Sequence, residues 1–145
     1  MWHVKDLYRV QSELLKSNID IVAIIQRALE TVADRGAALR LLLELDESVR
    51  REVVPTLVDV ASVGHQDIQL VRDIILSLNR DWLLEHLPNE VQRILEQAIE
   101  YEEYRRLAEL LETVRSPYLV ELVQKAAQSS DIDILEVAQD FADRA

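Results

Sequence analysis

The sequence predicts an all-α fold, and three observations carry that expectation. Apolar residues recur at a spacing near 3.6 along almost every segment, which gathers them on one face of a helix. Gly occurs twice and Pro three times in 145 residues, too few for the tight turns that sheets need. The chain also writes one phrase twice, "KSNIDIVAIIQRAL" from Lys16 and "SSDIDILEVAQDFA" from Ser129. The length suits one domain spanning residues 1–145, standing alone or as part of a larger protein.

The elements follow in order. Residues 2–15 form the first predicted helix, with Val4, Leu7, Tyr8, Leu14 and Leu15 on one stripe, as an end of a stack needs. Residues 19–34 form the second. Ile21, Val22, Ile24, Ile25, Ala28, Leu29 and Val32 cover more than one of its faces, so it is expected to be central. Gly36 is read as the break before a short apolar helix with Leu39, Leu41, Leu42, Leu43 and Leu45. Asp46 or Ser48 caps the next helix, whose stripe is Val49, Val53, Leu57, Val60 and Ala61. Pro55 lies inside that pattern, lacks an N–H and crowds the carbonyl of Arg51, so a kink or break is expected there. Gly64 is read as its end, and residues 67–78 as another helix with Ile68, Val71, Ile74 and Ile75 inward.

The second half reads the same way. "DWLLEHLP" predicts a short helix ending at Pro88. Residues 90–100 and 101–114 are two helices or one bent one, because no Gly or Pro separates them. Ser116-Pro117 starts the next helix, a capping hydroxyl followed by Pro at the first helical position. Ser130 starts the last. The repeated phrase fits these starts. Ser17 and Ser130 are read as caps, with Asp20 and Asp133 three residues on in the positive first turn.

A longer self-match sets the arrangement. "VRREVVPTLVDVASVGHQDIQLV" lies over "VRSPYLVELVQKAAQSSDIDILEV", pairing Leu57 with Leu122, Val58 with Val123 and Ala61 with Ala126. That is a helix, a polar turn containing Asp and a second helix, written twice. It predicts about nine or ten helices as antiparallel hairpins stacked side by side, the alternative being an irregular multi-helix bundle.

"LLLELDESVRREVVPTLVDVA" and "LVELVQKAAQSSDIDILEVAQDFA" resemble HEAT repeats, over residues 37–78 and 101–144. The resemblance rests on a leucine-rich first helix, Asp in the turn, and Val-Arg at Val49-Arg50 opening the second helix; the later copy has Ala138 where that Arg would stand. It implies a short right-handed α-solenoid that binds proteins along one curved face and carries no catalytic residues of its own.

The composition narrows the function further. With no Cys, disulfide and thiolate chemistry are excluded. No apolar run approaches the ~18 residues of a membrane span, and the start does not read as a signal peptide, so a cytoplasmic protein is expected. Net charge is −11, and it is uneven: residues 1–80 carry 12 acids and 10 bases, residues 81–145 carry 15 acids and 6 bases. Thirteen of the 16 basic residues are Arg. Such acidity opposes nucleic acid as a partner.

His3, His65 and His86 are far apart, show no i, i+4 pairing and are read as solvated turn residues rather than metal ligands. Asp131 and Asp133 lack the glycine and terminal Glu of a calcium loop, with Ala142 at the twelfth position, and are read as capping residues. Trp2 and Trp82 are assigned to packing. No catalytic residue, cofactor or metal is expected. The candidate site is an acidic-aromatic patch of Glu96, Glu100, Tyr101, Glu102 and Glu103, suited to a basic segment of a protein partner. The expected function is a non-enzymatic scaffold or adaptor. A small all-α enzyme or ligand carrier with a pocket between helices is the alternative.

Overall fold

The computed structural model describes residues 9, 20–97 and 99–145. Among them it has nine bounded α-helices and no strand, as the period predicted. They are α1 (Ile21–Glu30), α2 (Val32–Glu44), α3 (Glu47–Glu52), α4 (Val54–Ala61) and α5 (Ile68–Leu76). Then come α6 (Arg80–Leu95), α7 (Tyr101–Val114), α8 (Leu119–Ala127) and α9 (Ile132–Phe141), closed by a 3-10 turn at Ala142–Arg144. The helix expected over residues 2–15 lies outside the described residues except for Arg9, which is helical and exposed.

Several boundaries differ from the sequence expectation. The break between α1 and α2 falls at Thr31, not at Gly36. Thr31 is extended (φ −100°, ψ 119°); its N–H donates to the Ala28 carbonyl, and its own carbonyl accepts from Asp34 and Arg35. One residue therefore closes α1 and opens α2. Gly36 lies inside α2, where a Cβ would stand 3.6 Å from the Asp67 carboxylate. Gly64, likewise, lies beyond the end of α4 at Ala61 and does not have a positive φ.

The expected break near Pro55 is present and falls at Val53 (φ −94°, ψ 4°). Pro55 then occupies the first turn of α4, where its missing N–H has no intrahelical partner to lose. Pro88, by contrast, does not end its helix. α6 continues through it to Leu95. An interior Pro costs about 3 kcal/mol. The buried face Leu83, Leu87, Val91, Ile94 and Leu95 runs unbroken past it and offsets that cost. The segment beyond Pro88 thus belongs to α6, while α7 is a separate helix.

The caps are aspartates rather than serines. The Asp20 carboxylate accepts the Ala23 N–H at 3.1 Å, and the Asp131 carboxylate accepts the Asp133 N–H at 2.9 Å. A carboxylate adds a charge that the positive helix end favours. Ser17 lies outside the described residues. The repeated phrase keeps its first inward residue, since Ile21 and Ile134 are both buried, and then diverges: Ile24 is 46% exposed where its counterpart Val137 is buried. Ser116 opens the turn before α8, its hydroxyl accepting the Tyr118 N–H at 3.2 Å, but the helix itself starts at Leu119, so Pro117 stands ahead of the first helical position rather than at it.

The helices pack in sequence order. α1 lies on α2, α4 on α5 and α8 on α9; between these pairs, α1 meets α4, α2 meets α5, α4 and α5 meet α7, and α7 meets α9. One apolar cluster runs through all of them, from Ile21 and Leu29 through Leu57, Ile75 and Leu111 to Phe141.

Two predictions follow from this packing. Phe141 is 2% exposed, and Phe141→Ala is expected to destabilise the fold by about 3–5 kcal/mol; an unchanged urea midpoint would contradict its place in the core. Arg115 ends α7 in the left-handed region (φ 59°, ψ 45°), with the Ser116 N–H closing back to Leu111 at 2.9 Å. That conformation costs a non-glycine residue about 1–2 kcal/mol. The unfolded chain gains about 0.4–1 kcal/mol from a glycine in its place. Arg115→Gly is therefore expected to stabilise the protein by about 0.5–1 kcal/mol, read from the same urea transition.

Candidate partner-binding face

The candidate patch sits where α7 begins. Glu100 is the N-cap and Glu103 the third residue of the helix, and together they form a capping box. The Glu103 carboxylate accepts the Glu100 N–H at 3.5 Å, and the Glu100 carboxylate serves the Glu103 N–H in return. These two acids thus satisfy helix-end donors as well as adding negative charge. Tyr101 and Glu102 point outward from the same turn. The Tyr101 hydroxyl donates to the Glu102 carboxylate at 3.3 Å. The Glu102 charge is the main reason this phenol holds its proton above the usual tyrosine range, and Asp133 adds to it.

Asp133 belongs to α9, so the patch extends beyond its own helix. On α9, Asp133, Glu136 and Asp140 are exposed at i, i+3 and i+7, beside the buried stripe Ile134, Val137, Ala138 and Phe141. Arg105 of α7 pairs with Asp140 at 2.8 Å. Tyr101 and Arg105 meet Asp133 and Asp140 in that order, so α7 and α9 run in the same direction. The sequence reading missed this α9 half. Its signal was the i, i+3, i+7 spacing of acids, but only the α7–α9 contact brings them beside Tyr101.

Glu96 lies apart from the other four patch residues. It follows α6, accepts from the Gln92 amide at 3.3 Å, and sets its charge against Tyr118. The Tyr118 phenol is raised first by burial and then by Glu121 and Glu96. The face also holds cations: Arg106 lies 3.8 Å from Glu102, and Arg144 pairs with Glu112 at 3.2 Å.

The histidines are not the solvated turn residues expected. His86 Nδ1 bonds the Trp82 carbonyl at 2.8 Å, and its ring stacks on the Trp82 indole with centroids 4.3 Å apart. The Arg51 guanidinium lies 5.1 Å from the indole centroid, so Trp82 packs against its own neighbours, as the sequence suggested. His65 bonds on both ring nitrogens, to the Val60 carbonyl and to the Asp67 N–H. His3 and Trp2 lie outside the described residues.

One surface depression, of about 260 Å³, lies on this face, lined by Tyr101, Glu102, Arg105, Arg106 and Glu109. Two others lie away from it: one of about 390 Å³ beyond the end of α7, lined by Leu111, Arg115, Pro117 and Arg144, and one of about 230 Å³ between Arg51, Pro55, Trp82 and Asn89. Among the described residues no group of three or more His, Asp or Glu side chains is placed to hold a metal ion, and no helix is long and apolar enough to cross a membrane. Comparison with protein-family models, curated proteins and solved structures gives no match.

Proposed function

We propose that this chain is a non-enzymatic interaction scaffold, a short right-handed HEAT-like α-solenoid that holds a basic segment of a protein partner against the α7–α9 face. The observation that carries the reading is the joint acidic surface of Glu102, Asp133 and Glu136 on neighbouring parallel helices. Such a surface attracts a positive segment and steers its approach. The same charge repels a phosphate backbone, which favours protein over nucleic acid. The packing order supports the solenoid reading in the first half, where the α1–α2 pair meets the α4–α5 pair as stacked repeats do, and α7 joins that stack to the α8–α9 hairpin.

The test starts with tagged protein capturing partners from host lysate at low salt, followed by kinetics with the purified partner. Reversing Asp133 and Glu136 to Lys leaves the α7 capping box intact. The double variant is expected to slow association by about tenfold or more and to flatten its salt dependence. Its stability in urea should fall by no more than about 1 kcal/mol, because both sites are surface positions and Asp133→Lys places a cation in the positive first turn of α9. An unchanged association rate would place the contact elsewhere and overturn the proposal.

A further inference from the structure

We propose that the α4–α5 turn is an acid-sensitive latch, with the His65 imidazole as the part that senses the proton. α4 ends at Ala61, which leaves its last carbonyls without intrahelical partners. The Ser62 hydroxyl donates to the Asp59 carbonyl at 2.7 Å, and His65 Nε2 reaches the Val60 carbonyl at 3.0 Å. On the other side of the ring, Nδ1 accepts the Asp67 N–H at 3.0 Å. Asp67 is the residue from which α5 starts. One ring therefore closes one helix and positions the next.

Both bonds exist together only in the neutral tautomer that carries its proton on Nε2. A proton added at Nδ1 turns that acceptor into a donor aimed at another N–H, so the Asp67 bond is lost. The surroundings also oppose the charge. The charges of Arg35 on α2 and Arg106 on α7 act against protonation of the ring, while Asp67 in the turn favours it. Arg40 of α2 shares the neighbourhood of Gly36 with the Asp67 carboxylate, and Glu102 lies 3.8 Å from Arg106. The balance lowers the imidazole below its ordinary value near 6.5, with burial first among the causes. The folded value thus lies below the unfolded one. The turn's contribution to stability is complete above pH 6.5 and is lost as pH falls through the lower, folded value.

The latch holds more than its own loop. The Asp67 carboxylate lies against Gly36 of α2. Gly64 lies under the Arg106 guanidinium of α7, so closely that a Cβ there would stand 2.5 Å from Nη2. Arg72 of α5 pairs with Glu109 of α7 at 2.7 Å. When the ring protonates and the turn opens, the Asp67 contact with α2 and the Gly64 contact with α7 loosen, while Arg72–Glu109 and the buried Val71, Ile74 and Ile75 still hold α5.

The experiment is an NMR pH titration of the full chain from about pH 7.5 to 5, following the His65 ring protons and backbone amide exchange. The His65 ring is expected to titrate below the ordinary histidine value. The protection factor of the Asp67 amide should fall through that same pH, while that of Leu122 in α8 holds. His65→Ala should show low Asp67 protection throughout, with no step. A ring that titrates at or above the ordinary value, or an Asp67 amide equally protected on both sides of the titration, would overturn the proposal. The wild-type titration alone decides the matter where the variant does not fold.

Discussion

Ending a helix without glycine is the constraint on which the rest of this structure depends. A helix leaves its last carbonyls without partners, and the usual solution is a glycine in the left-handed region just beyond. This chain has two glycines, and neither has a positive φ. Side-chain donors take the place of glycine. Arg35 donates to the Leu29 carbonyl of α1 at 2.7 Å, Arg50 to the Leu45 carbonyl after α2 at 2.6 Å, and Arg80 to the Val114 carbonyl of α7 at 2.9 Å. Ser62 and His65 serve α4, and Ser77 serves α5. A guanidinium is suited to this work because it is long, rich in donors and weakly hydrated, so half-burial penalises it less than an ammonium. Such work gives a physical use to the excess of Arg over Lys. Each of the three capping arginines belongs to a different helix from the one it caps, so each of these three caps is also a tie between helices.

The acids do a matching job at the opposite helix ends. Asp20, Glu100 and Asp131 stand at N-caps, and Glu103 completes the box at α7. Others are held in ion pairs, as Asp140 is by Arg105 and Glu112 by Arg144. The acidity of the second half is therefore partly structural. Of the acids left outward, Glu102, Asp133 and Glu136 lie where α7 and α9 run side by side, with Arg106 3.8 Å from Glu102. The proposed binding face and the helix ends draw on the same chemistry, and the two uses separate residue by residue.

The helices themselves were legible in the sequence because a 3.6-residue apolar period is a local property. Several boundaries were not. Gly36 and Pro88 are the strongest local punctuation in their segments, yet both lie inside helices; at Pro88 the buried face from Leu83 to Leu95 outweighs one missing bond. Thr31 and Val53, which do mark breaks, carry no such signal; at Thr31 the break is held by Arg35 reaching back to Leu29. The α7 half of the candidate face was legible as a run of acids around Tyr101. The α9 half was not, because an antiparallel or parallel neighbour can be chosen only once the helices are packed. His65 was misread for a similar reason. A histidine between Gly64 and Asp67 looks like a solvated loop residue until the Val60 carbonyl turns toward it.

The claim that guanidinium caps hold the hairpins is tested most directly by comparing Arg50→Ala with Arg40→Ala in urea denaturation. Arg50 closes the end of α2, whereas Arg40 is exposed on the same helix. Removing the Arg50 donor leaves the Leu45 carbonyl unsatisfied, an effect of about 1–3 kcal/mol. The account predicts a loss of that size for Arg50→Ala and a change within about 0.5 kcal/mol for Arg40→Ala. Equal and small effects at the two positions would contradict it, because the helix ends would then be held by something other than arginine.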